Sequence, residues 1–230
     1  RSLDFAAWTA GGVPVPIYET SSAEQVEWIV KDSGTRFLVV ETTKHAAVAD
    51  EARANLTGLD QVFIIDNGDL DTIVAAGSDV TDEQLEERIA GQDRATIATI
   101  IYTSGTTGRP KGCELTHDNF LGLTENTIAK LGDVLNKDDA STLLFLPLAH
   151  VFGKLLLTLP LQIGFPTAID GRIDKIVDNL AVVRPTFMAA APRIFEKVYG
   201  KLTLGMQEEG GAKAKIFATI GLFTVVVAII

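Results

Sequence analysis

The sequence predicts an α/β fold, with mainly parallel sheets flanked by helices. From residue 13 onward, short β-rich runs alternate with amphipathic stretches, and this alternation is typical of parallel sheets covered on both faces. Hydrophobic residues make up 47% of the 230 positions, which is enough for a sizeable core. A glycine-rich loop follows a buried run, where open α/β sheets bind their ligands.

The first half of the chain is expected to alternate helix with strand after an extended run at 13–18. Ser21 and Glu24 predict a capping box at the start of the first of these helices. Gly34 is expected to end that helix, because glycine readily adopts the left-handed conformation of a helix C-terminus. The elements that follow are expected to be a strand at 36–41, a helix at 44–56, a strand at 61–66 and a helix capped by Thr81 and Gln84.

The second half repeats this order around the glycine-rich loop. A buried strand is expected at 95–102 and a helix from about Thr116. Further strands are expected at 142–148, 165–169 and 186–191, with a helix around 173–180 between the last two. The stretch 67–80 contains two glycines and three aspartates and is expected to be a long surface loop.

The segment 217–230 carries no charged residue. A helix of that length would span about 21 Å, which is shorter than a hydrocarbon core of about 30 Å. We therefore expect a buried strand or another core element there, and not a membrane anchor.

Charge and cysteine content limit the partners of the chain. Thirty acidic residues against twenty basic ones give a net charge of -10, and no basic stripe is visible, so nucleic acid is not an expected partner. The single Cys113 can form neither an internal disulfide nor a cysteine-based zinc site, which favours a reducing, cytoplasmic location. Because the start lacks both an initiator Met and a signal-peptide pattern, we expect it to be an internal position.

The segment YTSGTTGRPKG (102–112) combines three glycines, four serine or threonine hydroxyls and Lys111. Glycines let backbone amides approach a ligand closely, hydroxyls hydrogen-bond at short reach, and the lysine adds positive charge, a combination that suits phosphate oxygens. A plain surface turn is the alternative, but the position after a buried strand favours a ligand loop. The loop is not a Walker A motif, because Gly112 follows Lys111 where that motif has a hydroxyl residue.

This loop resembles the phosphate-binding signature of the adenylate-forming (AMP-binding) enzymes. The other segments that carry the resemblance are VPVPIYETSSAEQVEWIVKDSG (13–34), LPLAHVFGK (146–154) and RPTFMAAAPRIFEKVY (184–199). Together the four segments are similar to the N-terminal portion of the long-chain fatty acid–CoA ligases, or acyl-CoA synthetases, over residues 4–217. The resemblance implies activation of a long-chain fatty acid by ATP and magnesium, followed by transfer of the acyl group to coenzyme A.

The resemblance also implies roles for individual residues. Ser104, Gly105, Thr106, Thr107 and Gly108 would cradle the ATP phosphates. Thr103 would help to hold the magnesium ion, and Lys111 would steady the loop or the leaving pyrophosphate as a catalytic residue. Attack by a carboxylate on a triphosphate joins two anions, so charge neutralisation and alignment are the main requirements.

His150 is the second catalytic candidate. A histidine after a buried strand is explained equally well by a structural role, and this alternative stays open. In the family that the chain resembles, a histidine in this motif lies near the carboxyl end of the acyl substrate. Val151, Phe152 and Gly153 follow it as candidates for the acyl pocket, although Phe152 is also explained as a core residue.

Several parts that the family has are not recognisable in the sequence. These are a GGAPL-like strand, a YGxTE-like motif, a TGD-like aspartate and the C-terminal domain with its catalytic lysine. We therefore expect residues 1–230 to form a partial N-terminal AMP-binding domain. Two alternatives stay open: transfer of the acyl-adenylate to a carrier protein, and a truncated, non-catalytic remnant in peripheral contact with a membrane.

Overall fold

The computed structural model describes residues 2–103, 108–136, 138–190, 194–196, 199–200 and 203–205. The described helices are α1 Ser2–Thr9, α2 Ala23–Ser33, α3 Thr43–Arg53, α4 Asp69–Ala76, α5 Asp82–Ala90, α6 His117–Leu135, α7 Val151–Ile163 and α8 Ile176–Val183. The strands are β1 Phe37–Val40, β2 Gln61–Ile64, β3 Ile97–Thr103, β4 Lys111–Thr116, β5 Thr142–Leu144 and β6 Thr167–Ile169. The chain divides into two compact units, Arg1–Lys130 with Pro147–Thr158 and Leu131–Leu146 with Leu159–Ile230.

The first unit contains a β–α–β arrangement, in which β1 pairs in parallel with β2 and α3 connects them. Helix α2 precedes this arrangement and packs its apolar face against α3, because Val26, Val30, Ala52 and Leu59 form one buried cluster. Helical spacing places Val26 and Val30 on one face of α2. This cluster fixes α2 against α3, and both helices precede β3 in the sequence.

Strands β3 and β4 form the second sheet of this unit, an antiparallel hairpin. Strand β3 is largely buried, whereas β4 is mostly exposed, so the hairpin has one strand in the core and one at the surface. Helix α6 begins directly after β4. A strand therefore lies between the glycine-rich loop and the helix that the sequence predicts from about Thr116.

The second unit contains the parallel pair β5–β6, with Thr142 opposite Thr167 and Leu144 opposite Ile169. A short 3₁₀ turn at Ile173–Lys175 leads into α8. The core of this unit is built on Leu143, Phe145 and Ile176. Two of the three strand pairs among the described residues are therefore parallel, which confirms an α/β fold of mainly parallel sheets flanked by helices.

The local signals at helix ends were correct in most places. Thr81 and Gln84 form the predicted capping box of α5, and Gly34 ends α2 with a φ of 66°. The capping box of α2, however, uses Ser22 and Gln25, so the prediction of Ser21 and Glu24 was wrong by one residue.

Two other predictions differ from the structure. The predicted surface loop at 67–80 contains the helix α4. The predicted strand at 186–191 is absent from 186–190, where Thr186 bonds to Ser141 outside any strand ladder, and residue 191 lies outside the described residues. In the run expected to be extended, residues 13–17 form neither a helix nor a strand, and the Pro14 carbonyl accepts a hydrogen bond from the buried Thr99 hydroxyl at 2.7 Å.

The prediction for 217–230 falls outside the described residues. Among the helices that the structure does describe, none is both long enough and apolar enough to cross a membrane.

Candidate functional site

The turn of the β3–β4 hairpin carries the glycine-rich loop. Thr103 and Lys111 are paired across the end of the ladder, and both side chains are exposed. Because directly opposite residues have Cβ atoms about 4.5–5.5 Å apart, the side chains of Thr103 and Lys111 leave the hairpin from neighbouring positions on one face. The structure therefore brings two of the predicted phosphate-binding residues together, with Lys111 as the first residue of β4 and not part of the loop.

The predicted residues Ser104, Gly105, Thr106 and Thr107 lie outside the described residues. Gly108, the next described position, has a φ of 99° and no atom within 4 Å of an added Cβ. Such a positive φ favours glycine over any residue with a side chain. The glycine at this position is thus required by the backbone of the turn.

A buried tyrosine fixes the β3 side of the turn to helix α2. Tyr102 is 7% exposed, and its hydroxyl donates a hydrogen bond of 2.7 Å to the Asp32 carboxylate. Burial and this hydrogen bond to a negative group both raise the pKa of Tyr102. Gly112 lies opposite Tyr102 in β4, and a Cβ there would be 3.1 Å from the ring Cζ. The tyrosine ring occupies the space that a side chain at 112 would need.

A tryptophan of the same helix fixes the β4 side of the turn. The Trp28 indole N–H donates a hydrogen bond of 2.8 Å to the Pro110 carbonyl oxygen. The Arg109 guanidinium carbon lies 4.6 Å from the centroid of the Trp28 ring, within the range of a cation–π contact. Helix α2 therefore contacts the hairpin on both sides of its turn.

His150 immediately precedes helix α7 and caps its N-terminus. Its Nδ1 accepts a hydrogen bond from the backbone N–H of Phe152 at 3.2 Å, and its carbonyl accepts one from the Lys154 N–H at 3.1 Å. The first bond satisfies a backbone donor of the first helical turn that has no partner inside the helix, and the second is the first backbone hydrogen bond of the helix itself. Because Nδ1 is the acceptor, a neutral ring carries its proton on Nε2, which is then a hydrogen-bond donor.

The three candidates for the acyl pocket differ in their exposure. Val151 is exposed, Phe152 is half-buried and Gly153 is buried. Within the part of the chain that the structure describes, no hydrogen bond or ion pair joins His150 to Thr103 or to Lys111. The predicted catalytic residues therefore form two groups, one at the hairpin and one at the start of α7.

Helix α1 links the two elements that carry these groups. The Trp8 indole N–H donates a hydrogen bond of 2.6 Å to the Ala98 carbonyl in β3. Asp4, one turn before Trp8 in α1, forms an ion pair with Lys154 of α7. The Lys154 side chain is fully buried, and Lys154 lies one turn after His150 in the sequence. The Lys154 ammonium also lies 5.5 Å from the Trp8 ring centroid. Burial lowers the pKa of Lys154, and the Asp4 charge opposes that shift.

The candidate site offers few protein ligands for a metal ion. The described residues contain no group of three or more His, Cys, Asp or Glu side chains that could hold one. Magnesium often binds to phosphates with only one or two protein ligands and keeps several waters. The exposed Thr103, opposite Lys111 at the end of the ladder, offers one hydroxyl oxygen and is compatible with a metal held mainly by phosphate oxygens.

Sequence reasoning missed the contacts of α2 and of α1 with the site. Trp28 and Asp32 are four residues apart, so helical spacing places them on one face of α2, and that signal is visible in the sequence. Their partners are 82 and 70 residues away, and no local pattern indicates which surface that face contacts.

A family model described as AMP-binding enzyme matches residues 2–222 of the chain. The match covers nearly the whole sequence, including the hairpin, α2 and the start of α7. The chain belongs to the AMP-binding enzyme family.

Similar curated proteins are long-chain fatty acid–CoA ligases. The chain is 39% identical to the long-chain-fatty-acid–CoA ligase FadD15 of Mycobacterium bovis, over 94% of this chain and 36% of that protein. It is 29% identical to the human long-chain-fatty-acid–CoA ligase ACSBG2, over 90% of this chain and 33% of that protein. The chain thus spans about a third of the length of the curated relatives that it matches.

Solved structures agree with this fold. The o-succinylbenzoate coenzyme A synthetase MenE of Bacillus subtilis, solved in complex with ATP and a magnesium ion, matches with a TM-score of 0.64 and 20% identity. The match covers 86% of this chain and 38% of that one. At this identity the similarity establishes the fold.

Proposed function

We propose that this chain contributes the phosphate-binding hairpin of an enzyme that activates a long-chain fatty acid with ATP and transfers it to coenzyme A. The observation that carries the proposal is the pairing of Thr103 with Lys111 at the end of the β3–β4 ladder, on either side of the glycine- and hydroxyl-rich turn. Membership of the AMP-binding enzyme family and the names of its relatives support this reaction class.

In the first step, a carboxylate oxygen of the fatty acid attacks the α-phosphorus of ATP, and pyrophosphate leaves as acyl-AMP forms. Lys111 carries the positive charge at the hairpin, and at about 4 Å from a phosphate it would contribute up to about 4 kcal/mol at an effective dielectric near 20. The glycines and hydroxyls of 104–108 are proposed to donate hydrogen bonds to the phosphate oxygens. Thr103 would help to hold magnesium, which when bound neutralises phosphate charge.

In the second step, the thiol sulfur of coenzyme A attacks the acyl carbonyl carbon, and AMP leaves as the thioester forms.

We propose that His150 orients the carboxyl end of the acyl chain for the first step. Its capping bond to Phe152 fixes the ring and leaves Nε2–H as a donor for a carboxylate oxygen. The exposed Val151, with Phe152 and Gly153, would line the acyl entrance, where each buried methylene contributes about 0.8 kcal/mol.

The decisive measurement is fatty-acid-dependent exchange of pyrophosphate into ATP by the full-length gene product. We expect exchange with long-chain fatty acids, and thioester formation when coenzyme A is added. Exchange that occurs only with amino acids or aryl acids would exclude the fatty acid assignment. Transfer of the acyl group to a carrier protein and not to coenzyme A would identify the alternative acceptor.

The role of Lys111 is tested in the same assay. Lys111→Ala removes a charge that is needed where the leaving pyrophosphate gathers negative charge, and we expect kcat/KM for ATP to fall at least about 100-fold. Lys44→Ala is the matched control, because Lys44 is an exposed lysine of α3 away from the hairpin. Equal activity of the two variants would contradict the assignment of Lys111.

We also infer a cytoplasmic location with peripheral contact at a membrane. The free, exposed Cys113 supports a reducing compartment. Cell fractionation should recover the gene product in the soluble fraction, or in a membrane fraction from which high salt releases it. Recovery only in a detergent-resistant, salt-resistant membrane fraction would exclude this location.

A further inference from the structure

We infer that helix α2 is an anchor for the phosphate-binding hairpin, with Trp28 and Asp32 acting as positioning residues for ATP. This inference rests on the proposed function of the hairpin. The two side chains are four residues apart on α2 and contact opposite sides of the same turn. Neither residue would touch the nucleotide, so any effect on ATP must pass through the backbone of the hairpin.

The two contacts of α2 lie directly next to the residues that we assign to ATP and its metal. Tyr102, which bonds to Asp32, immediately precedes Thr103, and Pro110, which bonds to Trp28, immediately precedes Lys111. Each contact is therefore one residue from a side chain that we assign to ATP or its metal. Catalysis is sensitive to displacements of a reacting group by about 1 Å. Loss of either contact should therefore weaken the alignment of Thr103 and Lys111 with the ATP phosphates.

Each of the two contacts of α2 with the hairpin includes a charged group. The Tyr102–Asp32 bond is charge-assisted, since the phenol donates to a carboxylate, and such bonds are roughly twice as strong as neutral ones. On the other side, the Arg109 guanidinium over the Trp28 face adds a cation–π contact to the indole hydrogen bond. The proline at 110 offers only its carbonyl, which is the group that Trp28 uses.

The support beneath the anchor is rigid. Val26 and Val30, on the same helix, belong to the buried cluster with Ala52 and Leu59. The Ser22–Gln25 capping box fixes the start of α2 and Gly34 fixes its end. The hairpin is thus connected to a packed helix, and a site built on such elements is held more precisely than one on a loop alone.

Conservative variants separate the anchor from general stability. Tyr102→Phe removes only a hydroxyl, Trp28→Phe removes the N–H but keeps an aromatic face for Arg109, and Asp32→Ala removes an exposed carboxylate. Lys31→Ala is the control, because it is an exposed residue of α2 for which the described residues show no bond to the hairpin. Thermal unfolding shows whether each variant is folded. If Tyr102→Phe is unstable, Asp32→Ala removes the same hydrogen bond through its exposed partner and leaves the buried ring unchanged.

The first measurement is amide hydrogen exchange of the full-length gene product without ATP. Peptides that span the end of β3 and the start of β4 should exchange faster in Trp28→Phe and Tyr102→Phe, whereas α3 and the control variant should be unchanged. Exchange as slow as in the wild type would overturn the anchor, whatever the activity of the protein.

The second measurement is steady-state kinetics of adenylation. Each anchor variant should lower kcat/KM for ATP about tenfold, with KM for the fatty acid within about twofold of wild type, as expected for a lost polar contact that acts on one substrate. Equal losses for both substrates, or faster exchange without any effect on ATP, would overturn the positioning role. A wild-type protein that uses no ATP at all would instead refute the proposed function, while hydrogen exchange would still test the contact of α2 with the hairpin.

Discussion

At the scale of single residues, the site joins chemical roles to structural ones. His150 caps α7 and is also our candidate for the acyl carboxylate, so the same ring has a structural and a proposed functional role. His117 is the first residue of α6, and its ring makes an edge contact with Trp8 at 5.9 Å between centroids. Burial lowers the pKa of His117 below its usual value.

This lowered pKa predicts a pH dependence of stability. The unfolded chain protonates His117 near its ordinary pKa of about 6.5, whereas the folded chain resists protonation, so the free energy of unfolding should fall as the pH drops through that value. Above that pH the ring is neutral in both states, so burial of His117 has no protonation cost and the protein has its full stability. Thermal unfolding of wild type and His117→Gln between pH 5 and 7.5 tests this expectation, because the other histidines are common to both proteins.

The two melting temperatures should lie furthest apart, in favour of wild type, at pH 7.5, and the wild-type advantage should shrink towards pH 5. A difference that stays constant over the whole range would show that His117 makes no contribution to the pH dependence.

At the scale of elements, the β3–β4 hairpin depends on the absence of a side chain at one position. Gly112 lies opposite Tyr102, and an added Cβ would be 2.9 Å from the Ile100 Cγ2 and 3.1 Å from the tyrosine Cζ. The glycine that rules out a Walker A motif in the sequence thus has a structural reason: the tyrosine ring that reaches Asp32 lies across its position.

We predict that Gly112→Ala destabilises the protein by about 1–3 kcal/mol, as other overpacking substitutions do. The substitution should also displace Tyr102, and it should therefore weaken ATP binding as Tyr102→Phe is expected to do. Gly122→Ala is a good control, because Gly122 lies within α6 with nothing within 4 Å of an added Cβ, and alanine there should stabilise by about 0.5–1 kcal/mol. Denaturant unfolding measures both, and two variants of equal stability would contradict the steric argument.

At the scale of the whole molecule, contacts distant in sequence determine how the site is assembled. Asp4 and Lys154 are 150 residues apart, yet their ion pair joins α1 to α7 inside the first unit. Trp8, on the same helix, bonds to β3 through the Ala98 carbonyl. The N-terminal helix therefore connects the strand that leads to the hairpin with the helix that His150 caps.

We predict that Lys154→Ala destabilises the protein by about 3–5 kcal/mol, because it leaves the Asp4 carboxylate in a poorly solvated position without this cation. Replacing both charges, as in Asp4→Asn with Lys154→Met, should be less harmful than Lys154→Ala. The control is Lys175→Ala, which breaks an exposed pair with Asp178 at 3.8 Å and should change stability by less than about 1 kcal/mol. Chemical unfolding that finds Lys154→Ala as mild as the control would refute the importance of the buried pair.

The sequence predicts the fold class well and the exact element ends less well, for reasons that particular residues explain. The box of Thr81 and Gln84 is correct because all its information lies within four residues. Ser21–Glu24 and Ser22–Gln25 both fit the same pattern, and local sequence cannot choose between them. Such a choice depends on how the helix packs.

The same limit explains the missed helix and the missed anchor. Gly68 and Gly77 predict a loop at 67–80, but in the structure they are the N-cap and C-cap of α4. At the site, glycines, hydroxyls and a lysine indicate phosphate binding because ligand chemistry is local. The side chains that hold the hairpin are not predictable in this way, because Trp28 and Pro110 meet only after the chain has folded.

The contact of Trp28 with the turn also makes this indole a natural chromophore of the site. The chain has two tryptophans, and Trp28 is the one that lies against Arg109 and bonds to Pro110. Indole emission depends on the polarity and charge around the ring, and subtracting the spectrum of Trp28→Phe isolates its share of the signal. The helix that supports the hairpin therefore gives it an intrinsic fluorescence signal, by which the nucleotide binding that we propose can be tested without an added dye.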